Sequence, residues 1–295
     1  MPWQELSLCV RRDGLAEVEA ALEDLGALSL TLLDAADHPI LEPAAGATPL
    51  WPELVVQALF EDDCDRAGVT HALQTRLAGL APQQVHWRAV ADADWTRAWM
   101  DQFQPMQFGR RTFIYPWNIE PPNDPALVVV RLDPGLAFGT GTHATTALCL
   151  QWLDGLDLTG RLLLDFGCGS GILAIAALKL GALRAVGVDN DPQALIASRD
   201  NAERNAVAER LDLVAPERLQ ALQADVVVAN ILASALIAIK GEIAGHCRAG
   251  ALLALSGILD GQEAEVIAAY AADFSELEVA RQDGWVRISG RRRSS

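Results

Sequence analysis

From Ala126 to the C-terminus, short runs built almost wholly of Val, Leu, Ile and Ala alternate with longer stretches of helical periodicity. A strand that is apolar on both faces must be covered on both, so this alternation calls for a parallel sheet between two helix layers. The pattern predicts strands at 127–132, 161–166, 184–189, 211–215, 225–230, 251–257, 275–282 and 284–290, and helices at about 143–154, 171–180, 192–206, 232–245 and 261–272. Only Asp283 and Gly284 separate the last two strands, which makes them an antiparallel hairpin at one edge of the sheet.

The 295 residues suit two domains, and the first 91 read differently from the rest. Trp3 to Val10 is a strand; Leu15 to Gly26 is a helix with Leu15, Val18, Leu22 and Leu25 on one face. Leu28 to Leu33 and Leu54 to Phe60 are strands separated by a proline-rich loop, followed by a helix at Arg66 to Leu77 and a strand at Val85 to Val90. This βαββαβ order is that of a ferredoxin-like α+β domain. Residues 92–125 form a linker, opening with a short helix whose Trp95, Trp99 and Phe103 share a face. Pro105, Pro116, Pro121, Pro122 and Pro125 then mark turns and extended chain. The third segment is the α/β domain, 126–295.

Charge narrows the function. The chain has 39 acidic and 23 basic residues, a net of −16, and its only lysines are Lys179 and Lys240. A protein that grips nucleic acid must neutralise phosphates, so direct nucleic-acid binding is not expected. Residues 1 to 87 hold 14 acids and 4 arginines, so the imbalance is steepest in the first domain. The five cysteines are scattered singly, without metal-ligand spacing, which indicates neither a zinc site nor a disulfide framework. The uncharged run Val226 to Ile239 is too short for a bilayer at ~20 residues, and Met1 to Leu6 lacks signal-peptide character. A soluble cytoplasmic protein with no membrane association is expected.

Three segments carry chemistry. The first, Leu163 to Ala174, runs from a strand through Gly167, Gly169 and Gly171 into a helix, the kind of turn that brings backbone close to a ligand. Asp189 ends the next strand, where an acid can accept hydrogen bonds from a ribose diol. The GxGxG spacing differs from the dinucleotide GxGxxG, and Asp165 before the turn would repel pyrophosphate but attract an ammonium group. The combination favours S-adenosylmethionine over NAD. The second segment, Ala224 to Leu232, is a buried strand ending in Asn230, an amide that can orient a nucleophilic amine or, equally, cap the following helix. The third, Leu132 to Thr146, sets three glycines and four threonines around His143, which suits either a catalytic base or a structural residue at the start of a helix.

The loop DPGLAFGTGTHATT, the turn DFGCGSGILAIAALKLGA, the segment VDNDPQALIASRDNAERN and the strand end DVVVANILA together resemble the PrmA family, methyltransferases of large-subunit ribosomal protein eleven. The likeness covers the α/β half and the linker DADWTRAWMDQFQPMQFG; MPWQEL and PLWPE in the first domain are similar with less specific signals. It implies a seven-stranded, Rossmann-like class I methyltransferase domain behind a substrate-recognition domain. It also implies S-adenosylmethionine contacts from Thr146, Gly167, Asp189 and Asn230, with Gly169 and Gly171 in the same turn and Phe138, Gly139 and His143 in the matching loop. Ala144 stands where the family pattern leads one to expect proline, a residue pre-organised for a first helical turn.

The implied reaction is methyl transfer to lysine side chains and the N-terminal amine of a basic ribosomal protein, with Asn230 as the orienting group and no metal. An acidic recognition domain fits such a substrate by electrostatic steering, though acidic surface also serves solubility. Two competing readings are a class I methyltransferase of RNA or small molecules, disfavoured by the acidic first domain, and an NAD-dependent oxidoreductase, disfavoured by the glycine spacing.

Overall fold

The structure, a computed structural model, describes residues 3–36, 50–77, 83–90, 104–132 and 143–294. It divides into two compact units, Met1–Trp95 and Thr96–Ser295.

The first unit is built from β1 (Trp3–Arg11), α1 (Leu15–Asp24), β2 (Ser29–Asp34), β3 (Glu53–Glu61), α2 (Arg66–Arg76) and β4 (Gln83–Val90). Its sheet is antiparallel with order β2-β3-β1-β4, the ferredoxin-like arrangement expected from the element order. Strict alternation sets which face is buried: Leu6, Leu8 and Val10 of β1 and Leu54, Val56, Ala58 and Phe60 of β3 point to one side. There they meet Leu15, Val18 and Leu22 of α1 and Val69 and Leu73 of α2. Asp65 caps α2 by accepting the Gly68 N–H at 3.0 Å.

The second unit holds a seven-stranded sheet of order β10-β9-β8-β11-β12-β14-β13. Its strands are β8 (Leu162–Phe166), β9 (Arg184–Val188), β10 (Leu211–Val214), β11 (Ala224–Asn230), β12 (Cys247–Leu259), β13 (Phe274–Gln282) and β14 (Trp285–Arg292). β10, β9, β8, β11 and β12 run parallel; β14 alone runs the other way, antiparallel to β12 and to β13, with which it forms the hairpin expected at one edge. The crossover direction reverses at β8, which lies between β9 and β11. That switch point is where open α/β sheets leave a crevice at the carboxyl ends of their strands.

Two expectations are corrected. The strand expected at 127–132, observed as β7 (Val128–Arg131), does not join the main sheet. It pairs with β6 (Thr112–Tyr115), which pairs with β5 (Met106–Phe108), so the proline-marked segment contains two strands of a separate three-stranded sheet. The expected helix at 232–245 is two helices, α6 (Ala233–Ala238) and α7 (Lys240–His246). The aromatic stripe of Trp95, Trp99 and Phe103 lies outside the described residues.

The small sheet accounts for one oddity of the sequence. The helix α4 (Ile172–Lys179), ILAIAALK, is apolar on every face, and seven consecutive residues of it are buried. A helix apolar all round must be covered all round. The main sheet lies on one side, and Phe108, Ile114 and Val130 of the small sheet belong to the same core, together with α3 (Ala144–Asp154). Side chains tie the small sheet down. Buried Asp154 at the end of α3 accepts from Arg110 N at 2.6 Å, Arg111 N at 3.3 Å and Thr112 Oγ1 at 2.6 Å. From α5 (Pro192–Arg204), the adjoining Asn205 amide bonds both the N–H and the C=O of Arg131, at 2.9 and 2.7 Å, completing backbone pairing that β7 lacks on that side. The remaining helix, α8 (Glu263–Tyr270), packs on the opposite face through Val266 and Tyr270.

Candidate active site

Three of the residues singled out in the sequence stand at the ends of three adjacent strands. Gly167 follows β8, Asp189 follows β9 and Asn230 ends β11, so all three stand at the carboxyl edge around the switch point.

The glycine turn requires glycine. Gly167, Gly169 and Gly171 have φ of +70°, +54° and +78°, left-handed values that side-chain-bearing residues resist. A Cβ on Gly167 would lie 2.3 Å from Ile231 Cγ2, and one on Gly171 would lie 2.8 Å from Ser198 Oγ. Both sides of the turn are held. Gly169 N–H donates to Asp189 Oδ2 at 2.9 Å, while Asp189 Oδ1 accepts from Asp191 N at 3.0 Å. From α5, Ser198 Oγ donates to Gly169 O at 2.8 Å and Asn201 Nδ2 to Ser170 O at 2.9 Å. Sequence reasoning assigned no task to Ser198 and Asn201. Their signal was present, because Ser198, Asn201 and Asn205 are polar residues at three- and four-residue spacing on the face where a helix would otherwise bury apolar groups.

Asp165 lies beneath the turn, 1% exposed. Its Oδ2 accepts the Ala174 N–H at 3.2 Å, and its buried Oδ1 has no hydrogen-bond partner. Burial pushes its carboxyl up to about 7, the Ala174 N–H opposes that shift, and the Asp189 charge adds to it. A protonated Asp165 in the folded state and an ionised one in the unfolded chain give a definite sign: stability falls as pH rises from ~4 to ~7. Asp165→Asn keeps the acceptor for Ala174 N–H and removes the titration. The variant should therefore match the parent near pH 4 and exceed it at pH 8, by on the order of 3–4 kcal/mol at full ionisation. Urea unfolding at both pH values checks this; an equal difference at both would show that the cost is not ionisation.

Asn230 caps no helix. α6 begins at Ala233, its N-cap position is Leu232, and no side chain caps it. Instead Asn230 Nδ2 donates to Thr146 Oγ1 at 3.3 Å, which brings together two site residues 84 positions apart and leaves the amide oxygen as an acceptor. Two glycines hold the next residue in place: Ile231 sits against Gly167 and also against Gly257, where an added Cβ would lie 2.3 Å from Ile231 O. Gly257 has φ +83°, and Ile231 N donates to Ser256 O at 3.1 Å. Gly257 was missed because it sits inside an apolar strand pattern with no motif around it.

His143 is the N-cap of α3. Its Nδ1 accepts the Thr145 N–H at 3.4 Å and lies 2.8 Å from Thr145 Oγ1, and its ring packs in a T-shaped arrangement with Trp285, ring centroids 4.7 Å apart. Burial lowers its pKa, so it stays neutral at pH 7. The Trp285 contact also escaped the sequence reading, since only hairpin pairing returns β14 to this edge. Phe138 and Gly139 lie outside the described residues. Ala144 occupies the first helical position, and His143 before it is extended, with ψ 137°. Proline fits both, so Ala144→Pro should stabilise the protein by about 0.4–1 kcal/mol, read as a raised Tm; a lower Tm would mean that the Ala144 N–H is needed.

The geometry offers a glycine cradle without Cβ atoms, an acid at the end of the neighbouring strand, a buried carboxyl beneath the turn with one oxygen unpartnered, and an amide acceptor beside them. S-adenosylmethionine, with its ribose diol and ammonium group, fits those donors and acceptors.

Known proteins agree. The family described as ribosomal protein L11 methyltransferase (PrmA) matches residues 2–293. Ribosomal protein L11 methyltransferases of Pseudomonas aeruginosa and Pseudomonas putida are 54% and 55% identical over 296 and 295 residues, covering 100% and 99% of this chain and 100% of each relative. The crystal structure of a ribosomal protein L11 methylase from Lactobacillus delbrueckii subsp. bulgaricus superposes with a TM-score of 0.58 and 30% identity, covering 65% of this chain and 100% of that one. A matched family across nearly the whole length, joined to a switch-point site shaped for S-adenosylmethionine, places this chain in the ribosomal protein L11 methyltransferase family, a family of S-adenosylmethionine-dependent methyltransferases.

Proposed function

We propose that this protein methylates amino groups of ribosomal protein L11, on lysine side chains and the N-terminal amine, and that Asn230 orients the acceptor nitrogen. The observation that carries the reading is the Asn230–Thr146 hydrogen bond at the carboxyl edge of β11. With Nδ2 given to Thr146, Oδ1 is left to take an N–H of the incoming amine.

Bound S-adenosylmethionine supplies an electrophilic methyl on a sulfonium. The residues that would hold it are Gly167, Gly169 and Gly171 through backbone, Asp189 at the ribose, Asp165 at the ammonium group, and Thr146 with Asn230 at the edge; His143, together with Phe138 and Gly139, which lie outside the described residues, supplies the further contacts that the family resemblance implies. Methyl transfer to nitrogen needs alignment more than covalent help from protein. A lysine with a pKa of ~10.4 must first lose a proton, which water accepts while Asn230 holds the remaining N–H. Neutral His143 is engaged as a helix cap, so its part here is to position Thr145 and Thr146.

The first unit serves recognition of a basic protein, in keeping with 14 acids against 4 arginines in residues 1 to 87. Nucleic acid is not the partner, and the cytoplasm, where ribosomes assemble, is the place of action. Among the described residues, no helix is long and apolar enough to cross a membrane. Steering of this kind is screened by salt, so the association rate with L11 should fall about tenfold or more from low to high ionic strength. Stopped-flow binding checks it, and a rate indifferent to salt would reduce the acidic surface to a solubility device.

The test of the function is incubation with methyl-labelled S-adenosylmethionine and ribosomal proteins from a strain lacking this methyltransferase. A single labelled large-subunit protein is expected. Label on RNA, or on no protein despite cofactor binding, would move the activity to another acceptor.

A further inference from the structure

The outermost strand of the main sheet, β10, pairs with β9 on one side only. Along its outer side runs a cavity of 460 Å³, lined by all four residues of the strand, by Arg199 of α5 and by residues 218–222. Edge strands present unpaired N–H and C=O groups, and natural proteins blunt them by shortness, charge, prolines, bulges or a covering element; β10, four residues long with Asp212 among them, has the first two. β10 has no proline, and its outer side is open to the cavity.

The cavity has a cationic rim. Arg199 and Arg218 both line it, both are exposed, and neither guanidinium has an ion-pair or hydrogen-bond partner among the described residues. In a chain of net −16, where the acid in the same wall, Asp212, is already taken by Arg184 at 2.8 Å, two uncommitted arginines at one cavity call for an external anion. The floor is aliphatic, with Leu219 and Leu222 beside the strand. Ile196, one turn before Arg199 on the same helix, is 53% exposed. No aromatic side chain lines the cavity on which a base could stack, which disfavours single-stranded nucleic acid.

We infer that the free edge of β10 is a docking slot for an extended acidic peptide segment of a partner protein. The segment adds a strand to the sheet, places apolar side chains on the aliphatic floor and its carboxylates against Arg199 and Arg218. None of the cavity's lining residues is among those assigned to the cofactor, although Val214 O accepts the Asp189 N–H at 3.3 Å, so methyl transfer is measured beside peptide binding.

The experiment titrates the full chain into a fluorescein-labelled pentapeptide of alternating valine and glutamate and follows anisotropy. Saturable binding is expected. It should weaken about tenfold in an Arg199→Gln/Arg218→Gln double variant, the loss of two exposed charge pairs. It should vanish for the same peptide N-methylated at alternate nitrogens, which cannot complete a ladder. Thermal unfolding and methyl transfer to L11 should be unchanged in the double variant, showing that it folds. Absence of binding, binding indifferent to N-methylation, or binding indifferent to both arginines would overturn the slot. Preferential capture of a single-stranded RNA oligonucleotide, lost in the same variant, would overturn the peptide reading.

Discussion

Replacing Asn230 by alanine is expected to slow methyl transfer about a hundredfold or more while changing S-adenosylmethionine affinity by less than about threefold. The asymmetry follows from what the side chain does. Its amide nitrogen is held by Thr146 at 3.3 Å, so its oxygen is fixed in space before any substrate arrives. Misplacing a reacting atom by ~1 Å costs about a hundredfold in rate, whereas one neutral hydrogen bond contributes only ~0.5–1.5 kcal/mol to binding. Single-turnover rates at saturating cofactor, beside calorimetric titration of the cofactor, separate the two. Asn230→Asp keeps an acceptor oxygen and can take the Thr146 hydroxyl proton, so it should recover activity to within about tenfold of the parent. Equal losses in rate and affinity for the alanine variant would make Asn230 a binding group only.

The second large effect is at Gly167. Alanine there meets two costs: a left-handed φ of +70°, worth about 1–2 kcal/mol, and a Cβ 2.3 Å from the Ile231 methyl. The methyl cannot retreat freely, since Ile231 is backed by Gly257, whose own substitution would bring a Cβ to 2.3 Å from the Ile231 carbonyl oxygen. Relief must come from movement of the turn or of the strand end that carries Asn230. Gly167→Ala should therefore weaken S-adenosylmethionine binding by at least about tenfold and lower Tm by roughly 2–8 °C. Retained affinity with reduced Tm would show that the turn yields without disturbing the cofactor cradle. The comparison with Ala144→Pro is informative, because that change adds rigidity at the same edge and should stabilise.

Much of this edge was legible before any coordinates. The runs Leu162–Phe166, Arg184–Val188 and Ala224–Asn230 are largely apolar on both faces, and such segments have few alternatives to a central parallel strand. Glycines at two-residue spacing after the first, and a carboxylate after the second, then place the cradle and the ribose acceptor by topology alone. What escaped were features decided by partners far away in the chain. Met106–Phe108 and Thr112–Tyr115 are strands of three and four residues among prolines, too short to show a period; they exist because Val128–Arg131 pairs with the second, the second pairs with the first, and α4 needs a cover. The break between α6 and α7 has no proline, and Gly241 beside it is tolerated within a helix; both segments keep apolar contacts, Leu236 in one and Ile243 in the other, against the same core. Ser198, Asn201 and Asn205 had no task assigned from the sequence, yet each bonds backbone elsewhere: the glycine turn for the first two, Arg131 for the third. The Asn230–Thr146 bond joins residues that sequence spacing cannot relate, and it decides the orientation of the candidate acceptor.

The central claim, transfer to amine nitrogen of L11 at the Asn230 edge, is tested most directly by intact-mass measurement of purified L11 after incubation with the protein and S-adenosylmethionine, once with native L11 and once with L11 whose amines have been acetylated. The account predicts mass increments of whole methyl groups on native L11, none on the acetylated protein, and none with the Asn230→Ala variant over the same time. Unmodified native L11, or methylation that persists after acetylation, would contradict it.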